Sequence, residues 1–252
     1  ISLNFQRLQL YRPGYGYPPA IEPLAATYAP EDDGLWRVDL QTGRDELIFS
    51  IAQAKAIEPH PMSDGVPHWF NHVTYNPSGS RFCFLHRFKH ADRNFGPWIT
   101  RFFSMDSNGH TPFLIHAHDM VSHYAWRDDS HLIAWTRQTI AAGTARDGYF
   151  LLTDQSNKAQ LVGEGILTRD GHMTYSPDRQ WLLTDEYPGP DGKQPLLLFH
   201  LATGERIELG RFESTLKGEI RCDLHPRWNR DGTQVCFDSS HQGTRQIYVM
   251  EL

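Results

Sequence analysis

Cysteine is scarce in this chain. Three cysteines in 252 residues are an odd number and fit no closed disulfide framework. Long hydrophobic runs are also missing, and no apolar stretch approaches the roughly 18 residues of a membrane-crossing helix. Basic residues are the minority, 24 Lys and Arg against 30 Asp and Glu, giving a formal charge of −6 and a pI near 6.1. That balance lacks the basic footprint of a general nucleic-acid binder, so neither nucleic acid nor a membrane is an expected partner. No G-x-S-x-G elbow, P-loop or dinucleotide fingerprint occurs, which removes the commonest sequence signatures of hydrolase and nucleotide chemistry.

What is present is a repeat. His72-Val-Thr-Tyr75-Asn-Pro-Ser-Gly79, His123-Tyr-Ala-Trp126-Arg-Asp-Asp-Ser130, His172-Met-Thr-Tyr175-Ser-Pro-Asp-Arg179 and His225-Pro-Arg-Trp228-Asn-Arg-Asp-Gly232 share one pattern. Each has a histidine, two residues, an aromatic and a polar turn. The histidines are 51, 49 and 53 residues apart, a period that marks a β-propeller in which each unit is a four-stranded blade. An apolar second strand follows each motif, as in Arg81–Leu85, His131–Trp135, Trp181–Thr184 and Gln234–Phe237. A hairpin comes next, with Thr42-Gly43 and Thr203-Gly204 supplying positive φ at the turn. The reading is all-β, one domain over residues 1–252, with blades at 1–57, 58–116, 117–163, 164–212 and 213–252. Ile1–Phe5 looks like a second strand and the last unit ends one strand short. Five blades are therefore expected to be part of a seven-bladed ring whose amino-terminal blades lie upstream of Ile1.

Packing asks for the aromatic, the turn and the apolar strand, but not for histidine at one register four times. On innermost strands these histidines would ring a channel at similar depth, and converging imidazoles suit metal binding or proton transfer. The alternative is that they hydrogen-bond between blades as a packing device. His172, Cys222 and His225, with His123 one blade away, form the strongest candidate cluster, since zinc takes sulfur and nitrogen ligands. Residues three apart on a regular strand face opposite ways, so Cys222 joins His225 only from a loop or bulge. Cys83 and Cys236, eight residues after the motif aromatic, read as small core residues beside Ala134 and Leu183. His68 and His72, four apart, would share one face of an extended segment as a second cluster with His86, or form a strand edge facing water. Arg221 and Arg227 flank the last histidine, Arg227 on its face, and a guanidinium fork binds carboxylates. The loops Tyr11–Pro19 and Tyr187–Gly192 suit rigid aromatic loops above a channel mouth.

At these residues the chain resembles the propeller polysaccharide lyases, most of all the oligogalacturonate lyases and more distantly the ulvan lyases, with TolB-type blades. The resemblance covers His68 to Leu252 and is most specific in His123, His172 and Cys222-x-x-His225-x-Arg227. It implies β-elimination on an acidic, uronate-containing oligosaccharide, with His123 as the base and His172 and His225 as ligands of manganese. Cys222 and Arg227 stand where that family has glutamine and a further histidine. The first exchange favours zinc over manganese, and the second replaces a ligand with a fixed charge. His72 and Tyr124 are next in line for proton transfer, and His68, Arg221 and Arg227 are candidate substrate contacts. The rival expectation is a non-catalytic, TolB-like binding or scaffold module with structural histidines.

Overall fold

The computed structural model describes residues 27–89, 98–115, 118–140, 143–213 and 222–252. The Ile1–Phe5 strand, the Tyr11–Pro19 loop and Arg221 lie outside the described residues. The chain is a β-propeller of antiparallel blades with, among the described residues, one short helix, α1 (Ile51–Ala56). Its sheets are β1 (Gly34–Val38) with β2 (Asp45–Ser50), then β3 (His68–Tyr75), β4 (Arg81–Phe88), β5 (Ile99–Asp106) and β6 (Phe113–Ile115). A third sheet holds β7 (Val121–Trp126), β8 (His131–Ile140), β9 (Thr144–Thr153) and β10 (Ala159–Val162). A fourth holds β11 (Met173–Tyr175), β12 (Trp181–Asp185), β13 (Lys193–His200) and β14 (Arg206–Glu213). The last holds β15 (Arg227–Trp228), β16 (Gln234–Ser239) and β17 (Gln246–Glu251). Every sheet falls within its expected blade except that β14 runs one residue past 212.

The repeated polar turn has a specific job. After the motif aromatic, Asn76 Oδ1, Ser176 Oγ and Asn229 Oδ1 accept the backbone N–H of Arg81, Trp181 and Gln234, the first residues of β4, β12 and β16. Asp128 Oδ1 does the same for His131 at the start of β8. A side-chain oxygen thus closes each first hairpin and fixes its register, the Asx- or ST-turn chemistry that makes these residues recur.

By its contacts the chain divides into two compact units, Ile1–Val121 with Asp154–Asn157, and Ser122–Thr153 with Lys158–Leu252. In the first, Leu35 and Phe49 of β1 and β2, Ile51 and Ala54 of α1, and Phe70, Phe82, Phe84 and Phe103 of β3–β5 form one buried cluster. Each such side chain contributes roughly 1.5–3 kcal/mol by leaving water. In the second, Leu183, Leu196 and Leu198 pack on Leu224, Val235 and Phe237, joining the last two sheets. Cys83, Ala134 and Leu183 are buried at equivalent places, while Cys236 is half-buried.

The first unit corrects two expectations. His68 is fully buried, so it does not face a ligand. Its Nε2 donates to the Ser63 carbonyl (2.7 Å), which leaves Nδ1 to accept from Nε2 of His86 (2.8 Å). His72 does not share that face, because a bulge between Asn71 and Thr74 breaks the alternation, and His72 is exposed there at φ 57°. An inserted residue re-aims every side chain beyond it.

The buried pair makes this unit acid-sensitive. Burial first, then the charges of His68 and Arg101, hold the His86 pKa well below its ordinary 6.5. Below 6.5 the unfolded chain therefore takes up a proton that the folded unit refuses, and stability falls as the pH is lowered. Urea unfolding between about pH 7 and 5 should show this loss, with a shallower pH slope in His86→Leu; equal slopes would remove His86 as the cause.

Candidate functional site

The second unit brings three of the four repeated histidines together, and one glycine and one carboxylate explain how. Met173 pairs with Thr184 across β11 and β12, so His172 arrives opposite Asp185 at the end of β12. The chain can come this close because residue 171 is glycine, where a Cβ would overlap the Asp185 carbonyl oxygen. Asp185 Oδ1 accepts the His172 backbone N–H (2.6 Å), and the His172 ring donates from Nδ1 to the same carboxylate (3.0 Å). From the neighbouring sheet the His225 N–H donates to Asp185 Oδ2 (3.2 Å). One fully buried carboxylate thus fixes two histidines from two blades.

His123 joins from β7, its Nδ1 2.9 Å from Asp170 Oδ1 and 3.1 Å from Ser122 Oγ. The rings stand in a row, with centroids 4.0 Å apart from His123 to His172 and 3.9 Å from His172 to His225. Tyr187 flanks it, 6.1 Å from both His123 and His172. Its backbone is tied down, since its N–H donates to the Asp170 carbonyl (3.1 Å) and its own carbonyl accepts from Arg169 (3.3 Å).

The electrostatics separate these groups. Burial works to raise the Asp185 pKa, but the attraction and hydrogen bonds of His172 outweigh it and the carboxyl stays below its ordinary value. For His172 burial pulls downward, and Asp185, Asp223 and Asp170 together lift the imidazole above 6.5. His225 lies below 6.5, through burial and then the His172 charge. Burial pushes Asp170 up to about 6.

Among the described residues, one set of histidine and acidic side chains converges closely enough to hold a cation: His172, Asp223 and His225, with one donor atom from each within 4.8 Å of the others. The donor chemistry fits a divalent ion. Metal-bound histidine commonly ties its second ring nitrogen to a carboxylate or carbonyl. His172 Nδ1 lies on Asp185 and His225 Nδ1 lies 3.3 Å from the Asp223 carbonyl, so Nε2 is the ring nitrogen that each would offer to a cation. Asp185, Asp223 and Asp170 all act on His172, and beside them Glu186 pairs with Arg169. A divalent cation would offset part of that negative charge.

The ligand expectation is corrected at Cys222, whose buried thiol points to the Asp223 carbonyl (3.7 Å). Asp223, two residues before His225, is the side chain that converges with His172 and His225 instead. Arg227 is exposed and pairs with Asp238 (3.1 Å). His225, at φ 41°, lies outside β15, so the alternation that would have put Arg227 on its face does not extend to it. Tyr124 follows His123 on β7 and so faces the other side of the sheet. His72 belongs to the first unit. The residues not anticipated are Asp170, Asp185, Asp223 and Arg169. Two carried a signal, since Asp170-Gly-His172 and Asp223-Leu-His225 repeat an acid two residues before the motif histidine.

No family model and no curated protein matches the chain. Solved structures do. They include a chain of the tricorn protease (TM-score 0.50, 14% identity, 85% of this chain and 23% of that one) and a prolyl endopeptidase (0.52, 10%, 84% and 30%). TolB from Acinetobacter baumannii also matches (0.49, 16%, 85% and 50%). The chain spans half or less of the length of each of the three. At such identities the likeness to the first two shows the fold, a β-propeller, and nothing of activity. None of the three is a polysaccharide lyase.

Asp185 should be the residue this region tolerates losing least. Asp185→Ala strips the acceptor from an imidazole and two backbone N–H groups in a buried place, and is expected to cost about 3 kcal/mol in urea unfolding. Asp238→Ala, at an exposed pair, should cost under about 1 kcal/mol; comparable losses would deny Asp185 its organising part.

Proposed function

We propose that this propeller holds a divalent cation at His172, Asp223 and His225, and that with His123 as base it cleaves an acidic oligosaccharide by β-elimination. The observation behind this reading is the row of three imidazoles, each with Nδ1 tied to an oxygen acceptor. A polyuronate lyase removes the proton next to a carboxylate. The electron pair forms a carbon–carbon double bond, the glycosidic carbon–oxygen bond breaks, and the departing oxygen takes a proton. His123 is suited to the first step, because with Nδ1–H on Asp170 the basic lone pair of the ring lies on Nε2. Tyr187 rather than Tyr124 is the phenol beside two imidazoles, where it is suited to protonate the departing oxygen. The bound cation would supply the positive charge that the carboxylate needs as the enolate develops. With Cys222 outside the ligand set, the softness argument for zinc falls away, and two nitrogens with one carboxylate suit manganese as well as zinc.

One observation favours a second reading, a non-catalytic binding or scaffold module. The same acceptors that fix the imidazoles would also serve histidines whose work is to join blades. The two readings part experimentally. Metal-free protein titrated with Mn²⁺ or Zn²⁺ should bind one equivalent, Asp223→Ala and His172→Ala should remove it, and Cys222→Ser should keep it. On trigalacturonate the loaded protein should release a product with the ultraviolet absorbance of an unsaturated uronate, and His123→Ala should lower that rate by roughly 10²- to 10⁴-fold. Metal binding without such product would leave the module reading standing. Full activity in His123→Ala would move the base elsewhere.

A further inference from the structure

The acidic-ligand reading needs a residue that recognises the anion, and the arginine expected to do so, Arg227, is engaged elsewhere with Asp238. We infer that Arg169 is that residue and that Gly189 keeps it accessible. This inference rests on the proposed acidic ligand, and its test separates the two.

Arg169 precedes Asp170, the partner of His123, and its side chain reaches over the loop that carries Tyr187. Nε donates to Glu186 Oε2 (3.0 Å) and Nη2 to the Tyr187 carbonyl (3.3 Å). These two bonds hold the guanidinium plane still, while Nη1 has no hydrogen-bond partner among the described residues and the side chain is 35% exposed. A guanidinium carries five N–H donors in a planar fork. The Nη1–Nη2 edge is therefore the end able to take both oxygens of a carboxylate, and a fork already immobilised loses little freedom when it does so.

Gly189 supplies the second, independent observation. Its φ is not among the positive values, so its backbone does not call for glycine. What excludes a side chain is space: a Cβ there would lie 3.3 Å from Arg169 Nη1 and 3.5 Å from Nη2. It would crowd Nη1, the guanidinium nitrogen without a hydrogen-bond partner among the described residues. It would also lie 3.0 Å from Asp191 Oδ1, which accepts the Lys193 N–H while Oδ2 pairs with Arg211. Arg169 on the guanidinium plane cannot rotate without breaking both of its bonds. The missing side chain thus matters most to whatever approaches Arg169.

The experiment is calorimetric titration of the metal-loaded protein with trigalacturonate and with its methyl ester. The ester has the same rings but no negative charge. Arg169→Gln and Gly189→Ala should each weaken binding of the acid by about tenfold or more, as expected for loss of a charge-assisted pair. Binding of the ester should stay as in the unsubstituted protein, and Arg169→Lys should recover part of the loss. Mn²⁺ affinity, unchanged in both variants, reports that the histidine row is still assembled. If acid binding depends on Arg169 while no unsaturated product forms, the inference holds and the lyase reading fails. If product forms at the same rate and KM in Arg169→Gln, the lyase reading holds and the inference is overturned. Equal weakening of acid and ester, or no binding of the acid by the unsubstituted protein, also overturns it.

Discussion

The site depends on one buried carboxylate. Asp185 is out of contact with water, where an unpaired negative charge would be costly enough to force protonation. It stays ionised because two backbone N–H groups and an imidazole converge on it. The constraint acts in both directions. The carboxylate needs those donors, and meeting that need draws the start of β11 and the approach to β15 to the end of β12. Gly171 permits the closest of these approaches, and the positive φ of His225 permits the other. The ring positions follow from the backbone positions, since both histidines are held by their own main-chain N–H as well as by their side chains.

A rule of connectivity emerges between neighbouring blades. The aspartate two residues before a motif histidine addresses the histidine of the preceding blade. Asp170 bonds to His123, and Asp223 acts on His172 and converges with it. The blades of His172 and His225 therefore each contribute an imidazole to the row and a carboxylate to the place before it. Burial raises Asp170 to about 6, while at Asp185 the attraction and hydrogen bonds of His172 outweigh burial and hold the carboxyl low. Two carboxylates so close together acquire separate properties from what surrounds them.

The repeat was legible because its causes are local. The aromatic, the turn oxygen and the alternating second strand lie within a dozen residues, and each acts on its own hairpin. The convergence of His123, His172 and His225 was legible for the same reason, since a shared register on successive first strands implies a shared depth. Asp185 sits thirteen residues after His172, at the far end of a second strand and outside the motif, and the one signal for it, Asp238 at the same place after His225, went unread. Arg227 was misplaced by the assumption that strand alternation continues through His225, when the backbone there turns to positive φ, and Cys222, read as entering from a loop or bulge, points its thiol to the Asp223 carbonyl instead. The shared face of His68 and His72 fell to a bulge that sequence spacing does not reveal, and His68 itself is fully buried. Arg169 was invisible in the sequence, being one surface-type arginine among many until the loop of Tyr187 folds onto it.

The central claim is that blade register, through Asp185, builds one cation site from His172, Asp223 and His225. A crystal structure of the protein soaked in Mn²⁺, with anomalous difference maps, tests it most directly. The expected result is a single strong peak bonded to Nε2 of both histidines and to the Asp223 carboxylate, with Asp185 outside the coordination sphere and still on His172 Nδ1. A peak bonded to the Cys222 sulfur or to Asp185, or no peak at saturating Mn²⁺, would contradict the account.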